Sequence, residues 1–124
     1  MKKLVLCIIT LVILVSCVGC GENGNENAYA SVCRQLEKTS MGGTEYTQSQ
    51  IDEFENRFTN MNMTGGFTKV HHFRSTTEYV YVIEFENADD VSIFFDKITA
   101  ANFAAKKFDS VVAYGESNSI DDLT

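Results

Sequence analysis

The sequence predicts a small α+β domain, an antiparallel sheet with helices packed on one face. Three observations carry that expectation. Apolar residues recur every three or four positions over 51–61 and again over 91–98. Two alternating runs, 67–74 and 79–86, are separated by a few polar residues, the pattern of a hairpin. A last alternating run, 108–114, follows the second helical stripe.

Taken in order, Ala28, Tyr29, Val32, Cys33 and Leu36 fall on one face at helical spacing, which predicts a helix over 28–38. Thr39 to Tyr46 contains Gly42-Gly43 and reads as a loop. Thr47 and Gln50 form a capping box ahead of Ile51. The helix they open carries Ile51, Phe54, Phe58 and Met61 on its buried stripe and ends near Asn60. In the strand 79–86, Tyr79, Tyr81, Ile83 and Phe85 share one face, which should meet the core. Val80, Val82, Glu84 and Glu86 share the other, which should meet water because it holds two glutamates.

Asn87 is placed to cap the next helix, with Asp89 and Asp90 favoured by the dipole of its first turn. Val91, Phe94, Phe95 and Ile98 form its buried stripe. The expected order is therefore ααββαβ with a three-stranded sheet. If 28–36 is a strand instead, the sheet has four strands and the order becomes βαββαβ, the ferredoxin-like arrangement. Either way residues 28–115 form one domain and 116–124 a loose acidic tail.

The N-terminus carries the sharpest signal. Lys2 and Lys3 precede an apolar run from Leu4 to Val15 that is shorter than the roughly 20 residues needed to span a bilayer. That is the form of a secretory signal peptide. Leu14-Val15-Ser16-Cys17 then resembles the lipobox of bacterial lipoproteins. The resemblance covers the first 20 residues alone. It implies a signal peptide over 1–16, a diacylglyceryl-modified Cys17 and a flexible linker over 17–27. Cys20, in Cys17-Val18-Gly19-Cys20, is the alternative lipidation site. Two acyl chains hold a protein stably at a membrane where one does not. The implied location is the cell membrane, lipid-anchored and facing outside the cytoplasm.

Composition narrows the function. The 124 residues carry a net charge of −7, and removing Lys2 and Lys3 with the leader takes this to −9. Such a surface repels nucleic acid and anionic headgroups. If Cys17 is lipidated, Cys20 and Cys33 remain to form a disulfide in an oxidising compartment; if Cys20 is lipidated, Cys33 stands alone as a small apolar residue. His71 and His72 are adjacent on a strand, so their rings point to opposite faces and cannot share a metal. No phosphate loop, nucleophile elbow or calcium-loop spacing is present.

The reading is therefore a non-enzymatic protein without cofactor or metal. It is expected to act as an interaction module of the cell envelope, binding another envelope protein. Its expected surface is the open sheet face and neighbouring loop: Met61, Met63, His72, Val80, Val82 and Glu84. The alternative is a small-ligand carrier with a pocket near Tyr79, Tyr81, Phe94 and Phe95.

Overall fold

The computed structural model describes residues 27–124. The leader, the lipidation candidates Cys17 and Cys20, and the linker up to residue 26 lie outside the described residues. Helix α1 spans Ala28–Glu37 and begins where the linker was expected to end: the Asn27 side chain accepts a 2.8 Å hydrogen bond from the Ala30 N–H. Tyr29, Val32, Cys33 and Leu36 form its buried stripe, as the spacing predicted. This removes the ferredoxin-like alternative.

Strand β1, Gly42–Glu45, lies where a loop was expected. All four of its residues are exposed, so no apolar alternation announced it. Its glycine has a steric role. A Cβ on Gly43 would sit 2.6 Å from the Phe73 ring and 2.8 Å from the His71 ring, so only glycine lets this edge strand cross them.

Helix α2, Gln48–Glu55, opens on the predicted capping box, with both Thr47 and Gln50 side chains bonded back to the chain. It passes into a 3₁₀ turn, Asn56–Met61, with a kink at Phe58, rather than continuing as one helix; Asn62 ends it with φ 60°. Strands β2, Phe67–Arg74, and β3, Tyr79–Phe85, form the expected hairpin. Helix α3 spans Asp89–Ala100. Its Asn87 side chain does not cap it but donates to Thr64 Oγ1 at 3.0 Å.

The segment expected as a single last strand is a hairpin. Strands β4, Ala104–Phe108, and β5, Val111–Glu116, turn through Asp109, whose φ is 50°. A 3₁₀ turn, Asn118–Asp122, follows. The sheet has five antiparallel strands in the order β1-β2-β3-β5-β4.

Helices cover both faces of that sheet, not one. Val80 and Val82, expected in water, are fully buried with Val32, Leu36, Phe73 and Ala113 beneath α1. Burying each valine contributes about 1.5–3 kcal/mol. The two glutamates that suggested an open face lie at the end of β3, where Glu84 is only half-buried. The C-terminal segment is not loose. Ile120 and Leu123 are buried in the same core, and Lys106 Nζ donates to the carbonyls of Asp121 at 2.8 Å and Leu123 at 2.9 Å. Lys106 and its neighbour Lys107 lie on β4. On the opposite face, α2, the 3₁₀ turn and α3 enclose Phe54, Phe67, Val70, Ile83, Phe85, Phe94 and Val112.

Candidate functional site

Strand register organises the second face into rows. Val70, Ile83 and Val112 lie side by side and are fully buried. The next row crosses all five strands: Thr44, His72, Tyr81, Tyr114 and Ala105. Beyond it lie Gly42, Arg74, Tyr79 and Glu116. Cover recedes along this series. Tyr114 is still buried, His72, Tyr81 and Tyr79 are half-buried, and Arg74 and Glu116 are exposed.

A cleft of about 550 Å³ opens where the cover recedes. That is within the usual size of small-molecule sites. Its floor is the aromatic row. His72 stacks on Tyr81 with centroids 4.2 Å apart and planes 9° apart, and Tyr81 lies 5.5 Å from Tyr114 at 24°. Rings facing one another along the sheet turn their edges outward, and aromatic edges carry the positive part of the ring quadrupole. Arg57, on the 3₁₀ turn, and Arg74, at the end of β2, supply the cationic lining, beside the hydroxyl-bearing turn Ser75-Thr76-Thr77. Phe58, Ile98 and Phe103 supply an apolar wall. Phe103 meets Tyr114 edge-on at 5.7 Å.

The cleft lining sets two guanidiniums, Arg57 and Arg74, against one carboxylate, Glu78, in a protein whose acidic residues outnumber its basic ones. No carboxylate of the described residues lies within ion-pair distance of Arg57 or Arg74. Arg57 instead rests over the Phe54 ring, its guanidinium carbon 5.3 Å from the centroid. Burial lowers the His72 pKa below the ordinary histidine value, and Arg74, Arg57 and His71 lower it further. The imidazole is therefore neutral at neutral pH. Burial raises the Tyr114 phenol, with Tyr81 and Tyr79 adding to the shift. Burial likewise raises Tyr79 and Tyr46. These phenols stay protonated and remain able to donate. Glu78 also borders the cleft, but its Oε1 accepts a 2.5 Å hydrogen bond from Ser117 Oγ.

The expected interaction residues do not form one surface. Of the six, only His72 lines the cleft. Met61 and Met63 pack half-buried against the α3-side core. Val80 and Val82 are buried on the other face, and Glu84 shares their side of β3, where it accepts a 2.7 Å bond from Thr68 Oγ1. His72 is thus separated from Glu84 by the sheet itself. His71 also turns to that side, stacking on Phe73 at 4.4 Å, so the two histidines diverge as expected. Among the described residues no three His, Cys, Asp or Glu side chains converge on a metal position.

Of the alternative pocket residues, Tyr79 and Tyr81 line the cleft, whereas Phe94 is sealed in the core and Phe95 lies half-buried under Lys107. Cys33 is buried with a free thiol, which burial pushes up to about 12; Cys20, its expected disulfide partner, is outside the described residues. The chain matches no family model, no curated protein and no solved structure. The cleft must therefore be read from its own chemistry. No helix among the described residues is long and apolar enough to cross a membrane.

Arg57, Arg74, Phe103 and Tyr114 went unnoticed in the sequence. The hairpin register offered one usable signal, since pairing His72 with Tyr81 also pairs Arg74 with Tyr79.

Proposed function

We propose that this chain is a non-enzymatic, small-ligand-binding lipoprotein, tethered through Cys17, or alternatively Cys20, to the outer side of a bacterial membrane. The single observation that supports ligand binding is the cleft of about 550 Å³ with an aromatic floor, an apolar wall and two arginines lacking carboxylate partners among the described residues. Its groups suit holding a molecule: protonated phenols, a neutral imidazole and guanidiniums are recognition groups. Tethering would confine the site to the membrane surface and raise its effective concentration toward other envelope components.

The test is native mass spectrometry of the full chain, gently extracted from bacterial membranes. The expected result is a retained small molecule, and an N-terminal diacylglyceryl mass that disappears in the Cys17→Ala, Cys20→Ala double variant. A chain that partitions to the membrane equally well without both cysteines would refute lipid anchoring. A chain that retains no small molecule and binds none would refute the carrier reading.

One observation favours the interaction-module reading as a second. Among the described residues strand β1 is an exposed sheet edge, paired only with β2. Such an edge can accept an extended segment of another protein by strand addition.

A further inference from the structure

We propose that the cleft takes a small organic anion, a carboxylate or phosphate ester on an apolar or ring-bearing body, with its charged group between Arg57 and Arg74. This rests on the ligand-binding reading above and adds the class of ligand.

The first ground is charge. Acidic residues outnumber basic ones 17 to 10, and two of the chain's three arginines border one cleft without a carboxylate partner among the described residues. A guanidinium presents a planar fork of donors that matches a carboxylate or phosphate in two-point contact. Both side chains are exposed, so they can reach a ligand without first being desolvated. The surrounding donors agree in sign. The Thr76 and Thr77 hydroxyls, the protonated tyrosines and the outward ring edges all favour negative charge.

The second ground is polarity along the cleft. Arg74 stands on β2, whereas Tyr114, with Phe103 against it, stands on β5. Strand β3 lies between them, so these walls are two strand spacings apart, about 10 Å. That span fits an acid group at one end and a ring or short apolar body at the other. An inorganic anion would leave the wall of Phe58, Ile98 and Phe103 without a partner. A cation would meet two arginines.

His72 supplies an internal reporter. Burial depresses its pKa, Arg74, Arg57 and His71 depress it further, and Tyr46 and Tyr81 are its other titratable neighbours. An anion seated at the arginines would offset their field and raise the His72 pKa. A neutral ligand of the same shape would not.

The experiment is calorimetry on the full detergent-extracted chain with phenyl phosphate, phenylacetate, benzyl alcohol and inorganic phosphate. His72 is followed in parallel by proton NMR. The expected result is that one of the two ring-bearing anions binds at least tenfold more tightly than benzyl alcohol and than inorganic phosphate, and raises the His72 pKa. The Arg57→Gln, Arg74→Gln variant should lose at least tenfold in that affinity. The Arg57→Lys, Arg74→Lys variant should keep part of it, and both should melt as the parent does.

If benzyl alcohol binds as well as the anions, the site is apolar and the proposal is overturned, while the ligand-binding reading stands. Equal binding of inorganic phosphate would overturn the organic part. A retained neutral or cationic molecule, unaffected by the double Gln variant, would overturn the anion. Absence of any bound probe and any retained molecule would overturn both readings.

Discussion

Replacing Asp90 by alanine should destabilise the domain far more than replacing its neighbour Asp89. The two acids open α3 side by side, yet Asp90 is 0 % exposed while Asp89 is at the surface. The Asp90 carboxylate accepts hydrogen bonds from the Thr64 N–H at 2.9 Å, the Gly65 N–H at 2.8 Å and the Thr64 hydroxyl at 3.2 Å. Its removal leaves two backbone donors without an acceptor, at about 1–3 kcal/mol each. Partial access of water to the loop lowers the total to roughly 2–4 kcal/mol. For a domain of this size each kcal/mol moves Tm by about 4–8 °C, so the melting point should fall by roughly 8–32 °C. Asp89→Ala loses a helix-dipole contact of at most about 1 kcal/mol. Urea unfolding followed by far-ultraviolet circular dichroism, with unchanged m, measures both. Equal costs for the two variants would refute a stabilising role for the hydrogen bonds that Asp90 accepts from Thr64 and Gly65. The loop also follows the 3₁₀ turn that carries Arg57 and Phe58, so Asp90→Ala should weaken ligand binding at temperatures where the domain is still folded.

Three other outcomes are expected. Val82→Thr, nearly isosteric, should cost about 1–3 kcal/mol because the hydroxyl is buried under α1; a cost within about 0.5 kcal/mol would return this face to the surface. Cys33 should resist iodoacetamide at pH 8 in the folded protein and react fully in urea, because burial pushes its thiol up to about 12 and leaves it protonated; alkylation of the native chain at the rate of an unfolded thiol would contradict this. Burial lowers the pKa of both His71 and His72. The unfolded chain therefore takes up protons at pH values where the folded chain resists them. Stability should fall as pH drops through about 6.5, and stop falling from this cause below the folded values. Thermal melts from pH 7.5 to 5.5 should show a shallower slope in His72→Gln, and an unchanged slope would remove His72 from the account.

Segments with a complete internal pattern were legible in the sequence. The α1 stripe, the Thr47–Gln50 capping box, the β2–β3 hairpin and the α3 stripe each carry their own evidence. The missed strands do not. Gly42–Glu45 has no apolar side chain, and its pairing depends on Phe73 and His71 accommodating Gly43. Ala104–Phe108 shows itself only through its register with β5. The error about the open face has a definite source. Two glutamates at the end of β3 outweighed two valines at its centre, although α1 carries an apolar stripe that needs a sheet face to bury it. Ile120 and Leu123, three positions apart, were the overlooked sign that the C-terminal segment packs. A helix dipole accounts for an acid pair at the start of α3 without burying either acid, and the burial of Asp90 depends on Thr64 and Gly65, which are about 25 positions away in sequence.

The cleft follows from how the two faces of one sheet are covered. On the first face α1 and the C-terminal turn bury Phe73, Val80 and Ala113. On the second, the row Val70, Ile83 and Val112 is apolar and is sealed. Four residues further along each strand, past the row of His72, Tyr81 and Tyr114, the row becomes Arg74, Tyr79 and Glu116, which could be buried only at the cost of desolvating two charges that do not pair with each other. The α2 helix gives way to a kinked 3₁₀ turn at Phe58, and α3 ends at Ala100, so the helical cover recedes toward this row. Tyrosines suit the boundary between the rows, because each has an apolar body for the core and a polar tip for the opening. Four of the five tyrosines, Tyr46, Tyr79, Tyr81 and Tyr114, gather there. The polarity that keeps this end of the sheet from closing is the same polarity on which the anion proposal rests.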